Sequence, residues 1–301
     1  MSNSVTVVCF GAYGDILNST PIAKHYKMEG KDVTWVTKRK YSSCIDNNPY
    51  IDQIFYFKKD IENQFDYVYM TFSCMEHPLF NTPSSMSISK ILPNSKVIFS
   101  APYASPYADG SPRSTLLNII KDECSGIKEW NCDFIPIVRL ASTEEKEAIK
   151  FYSKLQGNKK ILIEYEFHSA QSMWDKEYLI ETCKYLNNKD VDIILTGKNE
   201  LPYLEELKTQ FDINFYHYHG SFMSNAKLYN LVDMFIGVSS GITCLTSSDY
   251  CDTNKERIEV IKGPHWGTAD WKHNQENKTI CYNFDEYCRA LDKTKEVLKS
   301  A

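Results

Sequence analysis

Short apolar, β-branched runs alternate with segments of helical periodicity along almost the whole of this 301-residue chain. "SVTVVCF" near the start reads as a buried strand, and "TPIAKHYKMEG" as a helix with Thr20 as N-cap, Pro21 at its first position and Gly30 closing it. "DVTWVTK" is the next strand, "YSSCIDNNP" and the strand "IDQIFYF" follow, and "FDYVYMTF" and "SKVIFSAP" read as two more. Continuous apolar strands separated by helices cannot be paired by hairpins. They require crossover connections, hence a parallel sheet with helices on both faces.

The pattern stops and starts again. "DFIPIVRLA" reads as an interdomain linker, and "STEEKEAIKFYSKL" as a helix capped by Ser142 or Thr143 with glutamates in its first turn. "KKILIEYEF", "VDIILTG", "INFYHYHG", "FIGVSSG" and, as the last strand, "RIEVIKGP" then alternate with the helices "DKEYLIETCKYLNNK", "ELPYLEELKTQF" and "NAKLYNLVDM". "FDEYCRALDKTKEVLKS" closes the chain as an amphipathic helix. Two Rossmann-like halves are expected, 1–140 and 141–301, with the C-terminal helix able to pack back on the first. Residues 75–115, rich in Pro, Ser and Tyr, read as loops inside the first half.

Composition removes several classes. A net charge of −5 supplies no overall positive field for nucleic acid. No apolar run approaches the ~20 residues of a membrane helix, and the N-terminus lacks the basic region of a signal peptide. Ten cysteines occur without CxxC spacing, some inside apolar runs (Cys9, Cys183), which fits a reduced, cytoplasmic setting. No metal-ligand cluster is evident. His217 and His219 share a strand face, but a pair without a third ligand is more often a strand-edge feature.

Two stretches carry candidate chemistry. "GAYGDILNSTP" follows the first strand but lacks G-x-G-x-x-G, so hydride transfer is poorly supported. It offers a carboxylate, Asp15, behind Tyr13, a candidate acceptor contact, and Gly14, a candidate donor contact. Positive charge at a helix N-terminus keeps such a group ionised, suiting it to take a proton from a hydroxyl; equally, Asp15 can simply cap the turn. The second stretch, "FIGVSSGITCLTSS", brings Ser239, Ser240, Gly241 and Thr243 to the end of a strand. Its hydroxyls and amides make either a phosphate site or an ordinary capped turn. His168, and His265 with Trp266 in "GPHWG", are further donor-side candidates. Each has a packing explanation too. The basic run Lys38, Arg39, Lys40 and, in a later loop, Arg113 are candidate acceptor contacts or merely solvated charges.

These motifs, in this order, resemble glycosyltransferase family 9, the heptosyltransferases of lipopolysaccharide synthesis. "GDILNSTP" is similar to the family's opening G-D-x-[LIV]-x-x-[ST]-P. "DVTWVTKRKYSSCIDNNPYIDQIFYF", "MWDKEYLIETCKYL", "VDIILTGKNE", "GVSSGITCL" and "VIKGPHWG" parallel later family segments more loosely. The resemblance implies a GT-B fold, two Rossmann-like domains facing each other across a cleft. It implies a monomeric, metal-independent inverting glycosyltransferase without cofactor. Asp15 would be the general base, the donor diphosphate would lie near Ser240, Gly241 and Thr243, and Glu200 would meet the nucleotide ribose. The acceptor would be a glycan or lipid-linked glycan. Ser239 and Cys244 stand where the family has Asp or Asn and His, and Ser172 where it has Lys, with Lys176 one helical turn on. These departures argue for a rebuilt donor pocket. A glycosyltransferase acting on a hydroxylated DNA base and a non-catalytic sugar-nucleotide or glycan-binding relative are the alternatives.

Overall fold

The computed structural model describes residues 4–9, 11–56, 95–99, 127–166, 172–187, 190–262 and 277–299. The expected strand "FDYVYMTF", and His168, His265, Trp266 and Arg113, lie outside them. The chain divides into two compact units, Met1–Arg139 with Ser248–Tyr250, and Leu140–Ser247 with Cys251–Ala301.

In the first unit β1 (Ser4–Val8), β2 (Asp32–Thr37), β3 (Gln53–Tyr56) and β4 (Ser95–Phe99) form a parallel sheet in the order β3-β2-β1-β4. β1 and β2 are buried along all but their first residues because both faces are covered; Val7, Val8, Val33 and Trp35 are all buried. Helix α1 (Tyr13–Met28) starts well before the Thr20 cap that the sequence suggests and carries Pro21 in its interior. A proline there removes one backbone hydrogen bond, to the carbonyl four residues earlier. Thr20 repairs the loss: its Oγ1 donates to Leu17 O at 2.7 Å. The same oxygen accepts from the Ile137 amide at 2.8 Å, tying the 136–138 segment to the helix. Thr20 is thus a repair and a tie rather than a cap. Gly30 closes the helix as expected, with a left-handed φ of 74°.

Ser248–Tyr250 joins the first unit through Asp249. Its carboxylate accepts from the Val138 amide at 2.9 Å and from Arg139 at 2.8 Å, and its amide donates to Pro136 O at 2.9 Å.

The second unit has six parallel strands, β5 (Lys159–Glu164), β6 (Val191–Thr196), β7 (Asn214–Tyr218), β8 (Met234–Val238), β9 (Glu256–Val260) and β10 (Lys278–Cys281), in the order β10-β9-β8-β5-β6-β7. β10 extends the sheet beyond "RIEVIKGP"; its four residues, "KTIC", carry no alternation to betray it. Among the described residues six helices serve this unit: α2 (Ser142–Tyr152), α3 (Lys176–Leu186), α4 (Leu204–Gln210), α5 (Ser224–Leu231), α6 (Gly241–Thr246) and α7 (Phe284–Lys299). Ala141, not Ser142 or Thr143, is the N-cap of α2, whose Glu144 reaches back to the Ala141 amide at 2.7 Å.

One face of the sheet packs Ile161, Ile163, Ile193, Leu195, Ile258 and Val260 against Tyr178, Leu179, Cys183, Tyr287 and Leu291 of α3 and α7. Each such aliphatic side chain contributes about 1.5–3 kcal/mol by leaving water. Helix α7 is anchored to α3 of its own unit: Tyr287, fully buried, meets the Thr182 hydroxyl at 2.5 Å.

Candidate active site

Open parallel sheets bind ligands beyond the carboxyl ends of their strands, where the strand order reverses. The first unit reverses between β1 and β4, the second between β5 and β8. Asp15 stands near the first point and "VSSG" at the second.

At the first point the chain leaves β1 through Gly11 and Ala12 and enters α1 at Tyr13, with Gly14 in its first turn. Asp15 is the third residue of the helix. Its Oδ2 accepts from the Ala12 amide at 2.7 Å and its side chain is buried, 3% exposed. The capping role considered from the sequence is therefore real. Gly11 is required beside it, since a Cβ there would lie 2.3 Å from Asp15 Oδ2. The Ser19 hydroxyl donates to Asp15 O at 2.7 Å, so both ends of this turn are pinned from within α1.

The basic run after β2 folds as a 3-10 turn, Arg39–Cys44, at the same end of the sheet. Tyr13 donates to Lys40 O at 3.1 Å and meets the Tyr41 ring edge-on at 4.8 Å. Lys40 Nζ lies 4.6 Å from the Tyr41 ring centre, and the Arg39 guanidinium 5.8 Å from that of Tyr56. Burial, followed by the neighbouring Cys44 and Tyr41, raises the Tyr13 phenol pKa. Tyr13, Tyr41 and Lys40 thus form one aromatic and cationic cluster, and Arg39 of the same turn lies over Tyr56. Lys38 does not belong to it as an open phosphate contact: its residue is only 7% exposed.

At the second point the strands end in Glu164 on β5 and Ser239 after β8. Glu164 was not singled out from the sequence. It is 3% exposed, and both its oxygens lie 2.6 Å from Ser240 Oγ. Ser240 Oγ accepts in turn from the amides of Ile242 and Thr243 at 3.0 and 3.3 Å, making Ser240 the N-cap of α6. The Thr243 hydroxyl donates to Val238 O, and the Ser172 hydroxyl to Ser239 O at 2.7 Å. The turn is thus capped from within, and the Ser240 and Thr243 groups assigned to a donor phosphate are engaged inside the protein. Ser172 is buried beneath Ser239, and Cys244 is buried in α6.

Burial above all, then the nearby Glu259 carboxyl, pushes the Glu164 carboxyl pKa up to about 8 against the pull of Ser240. Glu259 sits beside Gly237 in the β8–β9 register, and Glu164 follows Ile163, the partner of Ile236. The two acids therefore flank one glycine on one face of the sheet. Glu259 is paired with Lys278 of β10 at 2.5 Å.

Glu166, also unremarked in the sequence, organises the loop after β6. It accepts from the amides of Lys198 and Asn199 and from Asn199 Nδ2 at 2.6 Å. The exposed Glu200 follows directly. The signal for both acids was present in "ILIEYEF", where the apolar strand switches to alternating Glu as it reaches its carboxyl end.

Lys176 is committed to Glu206 at 2.6 Å and lies 5.3 Å from the Tyr203 ring centre. His217 Nε2 lies 3.0 Å from the Tyr165 hydroxyl, and its ring is 3.8 Å from that of His219. Burial and His219 hold the His217 pKa below its usual value. Among the described residues no group of three or more His, Cys, Asp or Glu is arranged to hold a metal, and no helix is long and apolar enough to cross a membrane.

Neither a protein-family model nor a curated protein matches the chain. Solved structures do. The chain is similar to a glycosyl transferase family 9 structure from Veillonella parvula DSM 2008, with a TM-score of 0.63 and 15% identity over 98% of this chain and 91% of that one. It is similar to E. coli ADP-heptose lps heptosyltransferase II (TM-score 0.61, 9% identity, 98% and 99% covered). It is also similar to E. coli heptosyltransferase WaaC with ADP (TM-score 0.54, 12% identity, 99% of each chain). Likeness at such identities establishes the fold, here GT-B with two Rossmann-like units, as the opening motif implies.

Proposed function

We propose that this chain is an inverting glycosyltransferase that moves a sugar from a nucleotide-sugar donor to a hydroxyl of a glycan, with Asp15 as general base. One observation carries the reading. The chain follows known glycosyltransferases over nearly its whole length, and its best-kept family motif, Gly14 to Pro21, sits on the first strand-to-helix turn of that fold.

The chemistry asks for an ionised carboxylate. The Ala12 amide and the N-terminus of α1 favour that form. As the acceptor oxygen attacks the anomeric carbon, its proton passes to Asp15. The bond from that carbon to the nucleoside diphosphate breaks with the electron pair going to phosphate, and configuration inverts. Acceptor binding is assigned to the first unit through Tyr13, Arg39 and Lys40, where aromatic faces suit a sugar and cations suit an anionic group on it. Donor binding is assigned to the second unit near Ser239 and Gly241, with Glu200 toward the ribose.

A second reading has its own support. Asp15 is 3% exposed and serves as a cap, and Ser240 and Thr243 are used internally, as suits a relative that binds a sugar nucleotide without turning it over.

Calorimetric titration with nucleoside diphosphates and nucleotide sugars, followed by a transfer assay with the donor that binds, tests both. Binding with transfer is expected. Binding without transfer to any glycan acceptor selects the second reading, and no binding at all overturns both.

A further inference from the structure

We propose that the Glu164 carboxyl, acting through Ser240, is the positioning group that sets the Val238–Gly241 turn for an anionic nucleotide beyond the carboxyl ends of β5 and β8. The role rests on the donor reading above. It also goes beyond it, since Glu164 touches no substrate in this account.

The geometry is specific. Glu164 ends β5, the strand beside β8 at the reversal of strand order, and holds Ser240 Oγ at 2.6 Å from each oxygen. Ser240 passes the constraint on to the Ile242 and Thr243 amides. The Thr243 hydroxyl closes the same turn on Val238 O. Ser240 and the two amides it caps are thereby referred to a single buried acid on a neighbouring strand.

Among the described residues, three strands and one helix present groups to Glu164. β9 presents Glu259, already paired with Lys278 of β10; β8 presents Gly237, without a side chain; α6 presents the Thr243 hydroxyl. Among the described residues, the cation nearest these two acids, Lys278, is taken by Glu259. Burial and Glu259 hold Glu164 protonated below about pH 8. A neutral acid keeps the crevice acceptable to a diphosphate, whereas an ionised one places a buried negative charge behind it.

The test is the affinity of the full chain for ADP, UDP and GDP between pH 6.5 and 9.5, by calorimetry, for wild type and Glu164→Gln. Gln keeps the size and hydrogen bonding and cannot ionise. For the nucleotide that binds, wild-type affinity is expected to fall about tenfold between pH 7 and 9, as one proton must be retained, while Glu164→Gln stays level. Matching profiles in the two proteins overturn the role. Wild type alone decides the matter if the variant fails to fold, since a level wild-type profile is incompatible with it. Absence of binding by wild type at every pH overturns the donor reading and this role together. A level profile with tight binding overturns this role alone.

Discussion

Gly11 and Asp15 leave no space between them: an ideal Cβ on Gly11 would stand 2.3 Å from both Cβ and Oδ2 of Asp15. The glycine that leads out of β1 is therefore a steric requirement of the carboxylate four residues on. Gly11→Ala must push Asp15 aside or bend the turn, because a contact under 3 Å to a buried group cannot be absorbed. A loss of roughly 1–3 kcal/mol is expected, read as a lower denaturation midpoint, together with loss of any transfer activity.

Asp15 itself can be dissected. Asp15→Asn keeps an oxygen to accept from Ala12 but removes the basicity, whereas Asp15→Ala removes both. If Asp15 is the base, Asn lowers the transfer rate by about 10²–10⁴ at near-native stability. Ala adds a stability loss of about 0.5–2 kcal/mol. Wild-type rates in Asp15→Asn would leave only the cap.

Thr20 serves Leu17 and Ile137 with one hydroxyl. Thr20→Val preserves shape and deletes both bonds, leaving the Ile137 amide without this partner. Destabilisation of about 1–3 kcal/mol is expected by urea denaturation. Thr20→Ser, which retains the hydroxyl, should recover most of it.

Glu164 also predicts a stability profile. Its carboxyl is held near 8 in the folded chain against an ordinary 4.5. Between those values the folded state keeps a proton that the unfolded state has released. The associated stability is complete below about pH 4.5, declines as pH rises, and is gone above about pH 8. Thermal unfolding of wild type relative to Glu164→Gln should therefore show an advantage that shrinks across this window, with a limiting slope of about 1.4 kcal/mol per pH unit. A constant difference from pH 5 to 8 would show that Glu164 is ionised throughout.

Tyr287 and Thr182 join α7 to α3. Tyr287→Phe keeps the packing and removes that bond, while Thr182 retains its bond to Tyr178 O at 2.7 Å. A loss of about 0.5–1.5 kcal/mol is expected, whereas Tyr287→Ala should cost about 3–5 kcal/mol through the cavity it leaves.

The limits of the sequence reading follow from the kinds of signal it uses. Thr20 before Pro21 suggests a helix start, because that is the commonest use of the pair. Only the carbonyl of Leu17, one turn back, reveals that the helix was already under way. Ser240 and Thr243 look like open phosphate ligands because serine, glycine and threonine at a strand end carry the same text whether their hydroxyls point outward or inward. Lys38 reads as surface because lysine usually is, and the fold buries it. Glu164 reads only as the tail of a strand.

What the sequence determined alone is local and periodic: two successive strand-helix units, parallel sheets from strands apolar on both faces, and an acid on the first turn after the first strand. Burial and backbone geometry repeat within a few residues, so such signals survive without knowledge of the rest of the chain. What the tertiary structure decided is which polar group each hydroxyl and acid serves. Glu164 meets Ser240 across 76 residues and Thr20 meets Ile137 across 117. Those pairings depend on strand order and register, which bring distant residues together, and partners set by such non-local packing leave no mark in either segment read by itself.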